Sequence, residues 1–456
     1  MVNLDSAEDP ARSETEGTAP TVAPVVSTFV TINPGVGGAS ARGRLRDLPS
    51  VVKLVLASMV LFNVGFYLVV PFLAVHLSEE LGFASWIVGL VLGLRTFSQQ
   101  GMFFLGGSIA DRFGRRPVIL WGIAIRIVGF VVLALASSLP AVIVGILLIG
   151  FAAALFAPAV ESANADIGRQ LEDSGVIKRT ELFGYEQMSS RLGTVLGPAL
   201  GAVLLVFPFS ASTAVAAILF AGMWFGFYFL FPKTIETGSI VGTSITRVWR
   251  VVLGNRRYVV LATLCSAQFV ALAQLYLMLP EQLSLSIGSR DLLGWFYVGA
   301  AVLVIVGQRP MVAVAARMGS RAATTIGLAV MAASFVIPAL GPGIMTDSVW
   351  PYVQIAAWIA LLHLGQMLMV PSMRDTLARI AGERYLGAHF GLLNTIGGCL
   401  SLIGTIGVGY LYDRLDDGSV AAATPWLVVA GCIAAPAVVL GVWSSMSDAI
   451  WPRRQP

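Results

Sequence analysis

Charge is scarce in this chain. Asp, Glu, Lys and Arg supply only 12% of its 456 residues, roughly half the 25% or so of a soluble domain. That excludes a large water-soluble enzyme. The formal charge of +4 comes from bases at helix ends and in short loops, which gives no footing for nucleic acid. Cysteine is rarer still: Cys265, Cys399 and Cys432 all fall inside apolar runs and read as small packing residues, not disulfides or metal ligands. His76, His363 and His389 stand far apart, and neither HExxH nor a GxxxxGK(S/T) phosphate loop occurs. Metal catalysis and nucleotide hydrolysis therefore lack their residues, no cofactor or metal is expected, and an enzyme is not the reading. A leader with charged and then apolar residues is missing too: the apolar Val22–Ile32 run is short and contains Pro24. Residues 1–48, rich in Pro, Ser, Thr, Gly and Glu, read as a disordered cytoplasmic tail.

What is present is apolar run after apolar run. Twelve membrane-length helices are predicted, at about 51–77, 85–110, 117–137, 140–163, 183–206, 210–231, 258–280, 292–315, 322–341, 351–373, 385–410 and 425–446. Bases collect between alternate pairs: at 112–116, 169–179, Lys233, 247–257, 317–321, 374–384 and 453–454, whereas the other loops hold only Arg290 and Arg414. Basic loops stay in the cytoplasm, so both termini are predicted inside, with the chain crossing the cell's inner (plasma) membrane. The chain also looks doubled. ADRFGRR after the second span has a worn counterpart, AARMGSR, after the eighth, with Arg317, Gly319 and Arg321 echoing Arg112, Gly114 and Arg116, and Ala316 replacing Asp111. Phe183-Gly184 and Phe390-Gly391 open the fifth and eleventh spans alike. The fold class read from this is an all-α membrane protein of two pseudo-symmetric six-helix bundles, 49–231 and 258–446, joined by a cytoplasmic linker at 232–257 and followed by a tail at 447–456.

The turn between spans two and three, GGSIADRFGRR, resembles the loop signature of the major facilitator superfamily, G-x-x-x-D-(R/K)-x-G-(R/K)-(R/K), at Gly107, Asp111, Arg112, Gly114, Arg115 and Arg116. In span five, Gly184, Gly193, Gly197, Pro198 and Gly201 match the pattern G-x8-G-x3-G-P-x2-G-G of that family's antiporters, with Ala202 in place of the last Gly. The runs at 92–117 and 65–73 are similar to the MdtH-type branch of bacterial multidrug exporters. The resemblance covers residues 50–450 and implies a drug:proton antiporter, usually monomeric, working with a small-molecule substrate, protons and the lipid bilayer. It implies that Asp111 pairs across the halves and helps lock the cytoplasmic side. Physically, an acid at a helix end can bond the open backbone groups at the start of a neighbouring helix. The glycines at every fourth position make one smooth helix face that admits a close partner, and the functional version has this face sealing the halves against proton leak. The family's fourth-span arginine is missing: Ile146 stands where it belongs, four residues before Gly150.

Charges inside the spans point to mechanism. One costs at least about 2.5–3.5 kcal/mol on insertion scales and is expected to be paired or to face a cavity. Arg95, Arg126 and Arg191 lie deep in spans two, three and five, and Glu161 and Glu186 in the cytoplasmic portions of four and five. The expectation is that Glu161 or Glu186 carries the proton, tuned by one of these arginines. Asn63, Tyr67, Gln268, Gln274, Gln354, His363, Gln366 and Asn394 are the polar candidates for a substrate cavity, with Phe66, Tyr276, Trp295, Tyr297 and Met367 as its apolar wall. Proton-coupled export of hydrophobic or amphiphilic drugs is the leading function. Three deep arginines against two acids keep a transporter of an anionic metabolite as the alternative, and a membrane-embedded enzyme or a receptor is the reading from a different class.

Overall fold

The computed structural model describes residues 48–446 apart from 104, 107–108, 110–112, 178, 205–206, 232–244, 341–348, 383–385 and 417. The expected tails at 1–48 and 447–456 thus lie almost wholly outside the described residues. Every described element is a helix. Apolar side chains cover a helix on all sides here because its backbone groups bond one another, which is what a bilayer requires.

The first half comprises α1 (Ser50–Val75), α2 (Ser85–Gln100), α3 (Arg115–Ala134), α4 (Leu139–Asp173), α5 (Arg179–Leu204) and α6 (Phe209–Leu230). The second comprises α7 (Arg256–Ile287), α8 (Leu293–Met318), α9 (Ser320–Ala339), α10 (Trp350–Ile380), α11 (Leu386–Asp416) and α12 (Thr424–Met446). In the first half α1 packs on α5 and α6, and α4 on α2 and α3; in the second α9 packs on α10 and α12, and α7 on α11. The halves meet along α2–α11 and α5–α8, with α7 reaching α1 and α2. The fold is the predicted all-α one, two pseudo-symmetric six-helix bundles.

The doubling is visible in the turns. Gly114 opens α3 at φ 89°, ψ 151°, and Gly319 opens α9 at φ 84°, ψ 152°. That region of backbone space belongs almost solely to glycine, so the two echoed sequences build one and the same turn. In both α4 and α10 a proline stands three residues ahead of a charge, Pro158 before Glu161 and Pro371 before Arg374, and both helices end at a glycine of positive φ, Gly175 and Gly382.

Several boundaries differ from expectation. Among the described residues ten helices have the length and apolar composition to cross a membrane alone; the described parts of α2 and α5 do not reach that measure. The described α2 is only 16 residues long. α5 starts among Arg179, Glu181, Glu186 and Gln187. α4 runs on to Asp173 and α10 to Ile380, past the predicted ends at 163 and 373, because a helix continues in water as long as its residues form helix and no glycine stops it. Within the linker, helix Ile245–Gly254 is described, and Asn255 caps α7 by accepting from Tyr258 N at 3.1 Å.

Candidate functional site between the two halves

A cluster of rings forms where α1 meets α7. Phe66 stands edge-on to Tyr67, with centroids 4.7 Å apart, and to Tyr276 at 6.3 Å. Tyr276 stacks on Tyr297 of α8 at 5.7 Å. Tyr67 of the first half and Tyr276 of the second thus border the same ring, Phe66. Tyr297 donates its hydroxyl to Leu275 O at 3.1 Å. Such a wall is apolar in area, with a few polar tips.

Arg95 joins this cluster from α2. Its guanidinium centre lies 4.3 Å over the Phe66 ring, it donates to Gln99 Oε1, and it is 7% exposed. Its Nε has no partner among the described residues. Arg126 of α3 is 1% exposed and stands 4.1 Å over Phe62, 4.7 Å over Phe220 and 5.7 Å over Phe130. Its Nε and Nη1 also lack partners there. A desolvated cation over a ring gains about 2 kcal/mol or more. The rings thus partly compensate burial that a carboxylate would ordinarily balance. Arg191 of α5 is half-buried and acts electrostatically on Tyr67 together with Arg95.

The other polar candidates divide. Asn63 faces the α1–α5 contact and donates to Ser190 Oγ at 3.1 Å and Met59 O at 2.8 Å. Gln274 is fully buried on α7 opposite Gly404 of α11, and neither its Oε1 nor its Nε2 has a partner among the described residues. Gln268 donates to Met373 Sδ at 3.3 Å, and His363 Nδ1 lies 2.8 Å from Ile359 O of its own helix, so both are packed into the second half. Gln354 is buried, while Gln366 and Asn394 are half-buried. The structure therefore gathers Tyr67, Arg95 and Arg191 around one locus, and does not bring His363 or Gln268 to it through any described contact.

Among the described residues no ion pair joins Glu161 or Glu186 to Arg95, Arg126 or Arg191, the arginines expected to tune them. Glu186 accepts from Asn164 Nδ2 of α4 and is half-buried. Glu161, one turn before Asn164, acts on it electrostatically but is itself exposed. The acids thus form a like-charged pair on the α4–α5 contact, apart from the ring cluster.

In the signature loop, Gly107, Asp111 and Arg112 lie outside the described residues. Gly114 makes the turn described above, Arg115 begins α3, and Arg116 donates to Tyr228 O at 2.7 Å, fixing the loop to the end of α6. In α5, Gly184 lies in the first turns. Gly193 packs on Val60 and Asn63, Gly197 on Tyr67 and Val64, and Gly201 on Phe72. All are α1 residues, so the smooth face is closed within the first half. Contact with the second half falls to Pro198 and Ala202, against Gly294 of α8.

At the opposite end of the bundle the sequence reading missed a latch. Asp413 at the end of α11 accepts from Ser85 N at 2.8 Å and Trp86 N at 3.1 Å, capping α2 across the halves. Beside it Arg290 pairs with Glu79 at 2.6 Å and Glu281 at 3.4 Å, and donates to Pro280 O at 3.2 Å. The cross-half cap foreseen for Asp111 is thus seen for Asp413. The available signal was the repeated Asp-Arg pair, 111–112 and 413–414, each closing a span.

Comparison with known proteins follows the same lines. The profile of the Major Facilitator Superfamily matches residues 55–404. An uncharacterized MFS-type transporter of Mycobacterium tuberculosis is 33% identical over 375 residues, 81% of this chain and 88% of its own. The multidrug resistance protein MdtH of Escherichia coli is 28% identical over 373 residues, 80% of this chain and 87% of its own. Among solved structures, the nucleoside transporter NupG (D323A mutant) superposes with TM-score 0.71 at 15% identity, covering 85% of this chain and 99% of that one. The POT family transporter PepTSo does so with TM-score 0.69 at 16% identity, over 87% and 97%. At such identities the two structures speak for the fold alone.

Proposed function

Since the chain belongs to the Major Facilitator Superfamily and is a multi-pass membrane transporter, we propose that it exports hydrophobic or amphiphilic compounds by alternating access, driven by inward proton movement. The observation that carries the substrate side is the ring cluster of Phe66, Tyr67, Tyr276 and Tyr297, which spans both halves and offers large apolar area with few polar tips. Resemblance to a multidrug resistance protein over 80% of the chain supports it. With no phosphate-binding loop in the sequence, the energy source is an ion gradient, in which one charge moved across 100 mV yields about 2.3 kcal/mol.

For the coupling site we assign Glu186, hydrogen-bonded by Asn164, with Glu161 beside it. We assign the coupled proton to the Glu186 carboxyl, which Asn164 of α4 holds at the α4–α5 contact. We assign the Arg290–Asp413 end to the outside and the Arg116 end to the cytoplasm, on the distribution of bases. The two halves bound their domains at 49–231 and 258–446, and the working unit is a monomer.

The test is transport in proteoliposomes with an imposed pH gradient, using a panel of lipophilic drugs. Gradient-driven movement of several compounds is expected, with Glu186→Gln losing the dependence on the gradient while substrate binding persists. Movement that ignores the gradient, or a Glu186→Gln protein coupled like the parent, overturns the corresponding half of the reading.

A further inference from the structure

We infer that the site between the halves receives amphiphilic organic anions, an apolar body bearing a carboxylate or sulfonate head, and that Arg95 takes the head. This names the substrate class of the site in the exporter reading and rests on that reading for transport, though not for binding.

The first observation is a donor left over. Arg95 is 7% exposed, one hydrogen bond goes to Gln99 Oε1, and Nε meets no acceptor among the described residues. A guanidinium offers five N–H groups in a planar fork suited to carboxylate and sulfonate oxygens. Buried donors are normally satisfied, so an unmet one at a transport site points to an incoming acceptor.

The second observation is the sign of the field. Arg95 and Arg191 both act on Tyr67, and Arg126 lies close enough to Arg95 for their charges to interact. Among the described residues no carboxylate forms an ion pair with any of the three. Low dielectric magnifies such a field, so the locus attracts an anion and opposes a permanent cation. Arg126, 1% exposed behind Phe62, Phe130 and Phe220, contributes charge without contact.

The third observation is the ring wall itself: Phe66 lies under the Arg95 guanidinium and edge-on to Tyr276, which stacks on Tyr297. Arg95 of the first half thus meets rings drawn from both halves. An apolar body with one anionic head satisfies rings and donor together.

Three pyrene probes separate the possibilities: pyrene-1-sulfonate, neutral hydroxymethylpyrene, and a pyrene carrying trimethylammonium. Binding to the purified full-length protein is read by fluorescence anisotropy without any gradient. The sulfonate is expected to bind about tenfold or more tightly than the cation. Arg95→Gln should weaken the sulfonate by about tenfold or more relative to the neutral probe. Arg95→Lys should hold part of the preference, and it carries the comparison if the Gln variant does not fold. Arg379→Gln, a change at an exposed residue paired with Asp375, should alter neither. Equal or tighter cation binding, or an Arg95 variant that weakens all three probes alike, overturns the inference. Proteoliposomes then separate the two readings. The binding pattern with no probe moving under a gradient leaves the inference standing and removes the exporter reading. Gradient-driven movement of the cation but not the sulfonate does the reverse.

Discussion

A methyl group is the smallest probe of how closely two helices approach. At Gly193 an added Cβ would land on the Val60 carbonyl oxygen and 2.7 Å from Asn63 Cβ; at Gly197 it would lie 2.5 Å from Tyr67 Cβ. Backbone carbonyls cannot rotate away as a side-chain tip does, so α5 must move off α1. Forced groups in a packed interior cost about 1–3 kcal/mol, which outweighs the gain of roughly 0.5–1 kcal/mol from replacing a mid-helix glycine by alanine. Gly193→Ala should therefore lower the unfolding midpoint in detergent. Gly431→Ala, where nothing lies within 4 Å, should leave it unchanged or raise it slightly. Equal midpoints for both would mean that the α1–α5 contact is looser than described. The same displacement reaches function, because Asn63 and Tyr67 lie on the face that Gly193 and Gly197 touch, and Tyr67 borders Phe66, which meets Tyr276 of the other half.

Between elements, the latch at the Arg290 end has two parts of unequal weight. The Arg290–Glu79 pair includes a carboxylate 56% exposed, and exposed pairs are worth about 0–1 kcal/mol. Asp413 instead meets two open backbone N–H groups at the start of α2, a capping arrangement worth about 0.5–2 kcal/mol that also gains from the helix dipole. Asp413→Ala should thus open this end by about two- to thirtyfold in the closed–open ratio, and Glu79→Gln by much less. Spin labels at the exposed positions Glu80 and Asp291, in a protein freed of its three cysteines, would report the change as a longer distance population. An unchanged distribution in Asp413→Ala would place the seal in the glycine contacts of α2 with α11 instead. How legible these elements were follows from what each depends on. Ten spans announce themselves by local composition. The apolar runs at 85–110 and 183–206 read as spans like the others, although the described α2 holds 16 residues and α5 begins with charge. The four-residue glycine rhythm of α5 foretold a smooth face but not its partner, since which helix fills a face depends on the whole packing. The arginines were legible as buried, yet their counterparts proved to be rings and not acids: no spacing in the sequence says that Phe62 on α1 and Phe220 on α6 converge on Arg126 of α3. Glu161, placed by the sequence in the cytoplasmic portion of the fourth span, is exposed on α4, which runs through Pro158 to Asp173.

For the whole molecule, orientation decides what the latch and the acids do. The two matching turns, Gly114 and Gly319, and the long exits of α4 and α10 share one end with the basic helix Ile245–Gly254. Arg116, Arg169, Arg250, Arg256, Arg257, Arg317, Arg321, Arg374 and Arg379 all lie there, against Arg290 and Arg414 at the other. Basic residues in short loops resist translocation, whereas acids hardly count, so the four acids Glu79, Glu80, Glu281 and Asp413 at the latch do not oppose this assignment. A green fluorescent protein fused after Pro456 should then fluoresce, and alkaline phosphatase fused after Arg290 should be active in intact cells, with the same enzyme silent after Arg317. The reverse pattern would invert the molecule. Its consequences are chemical as well as topological. With the basic end inside, Glu186 and Glu161 lie toward the cytoplasm, where the proposed proton antiport would release its protons, and the Asp413 cap lies toward the side from which they would arrive. Inverted, the same groups would serve uptake. The fusion result therefore bears on export through the direction in which a proton must travel between the two ends.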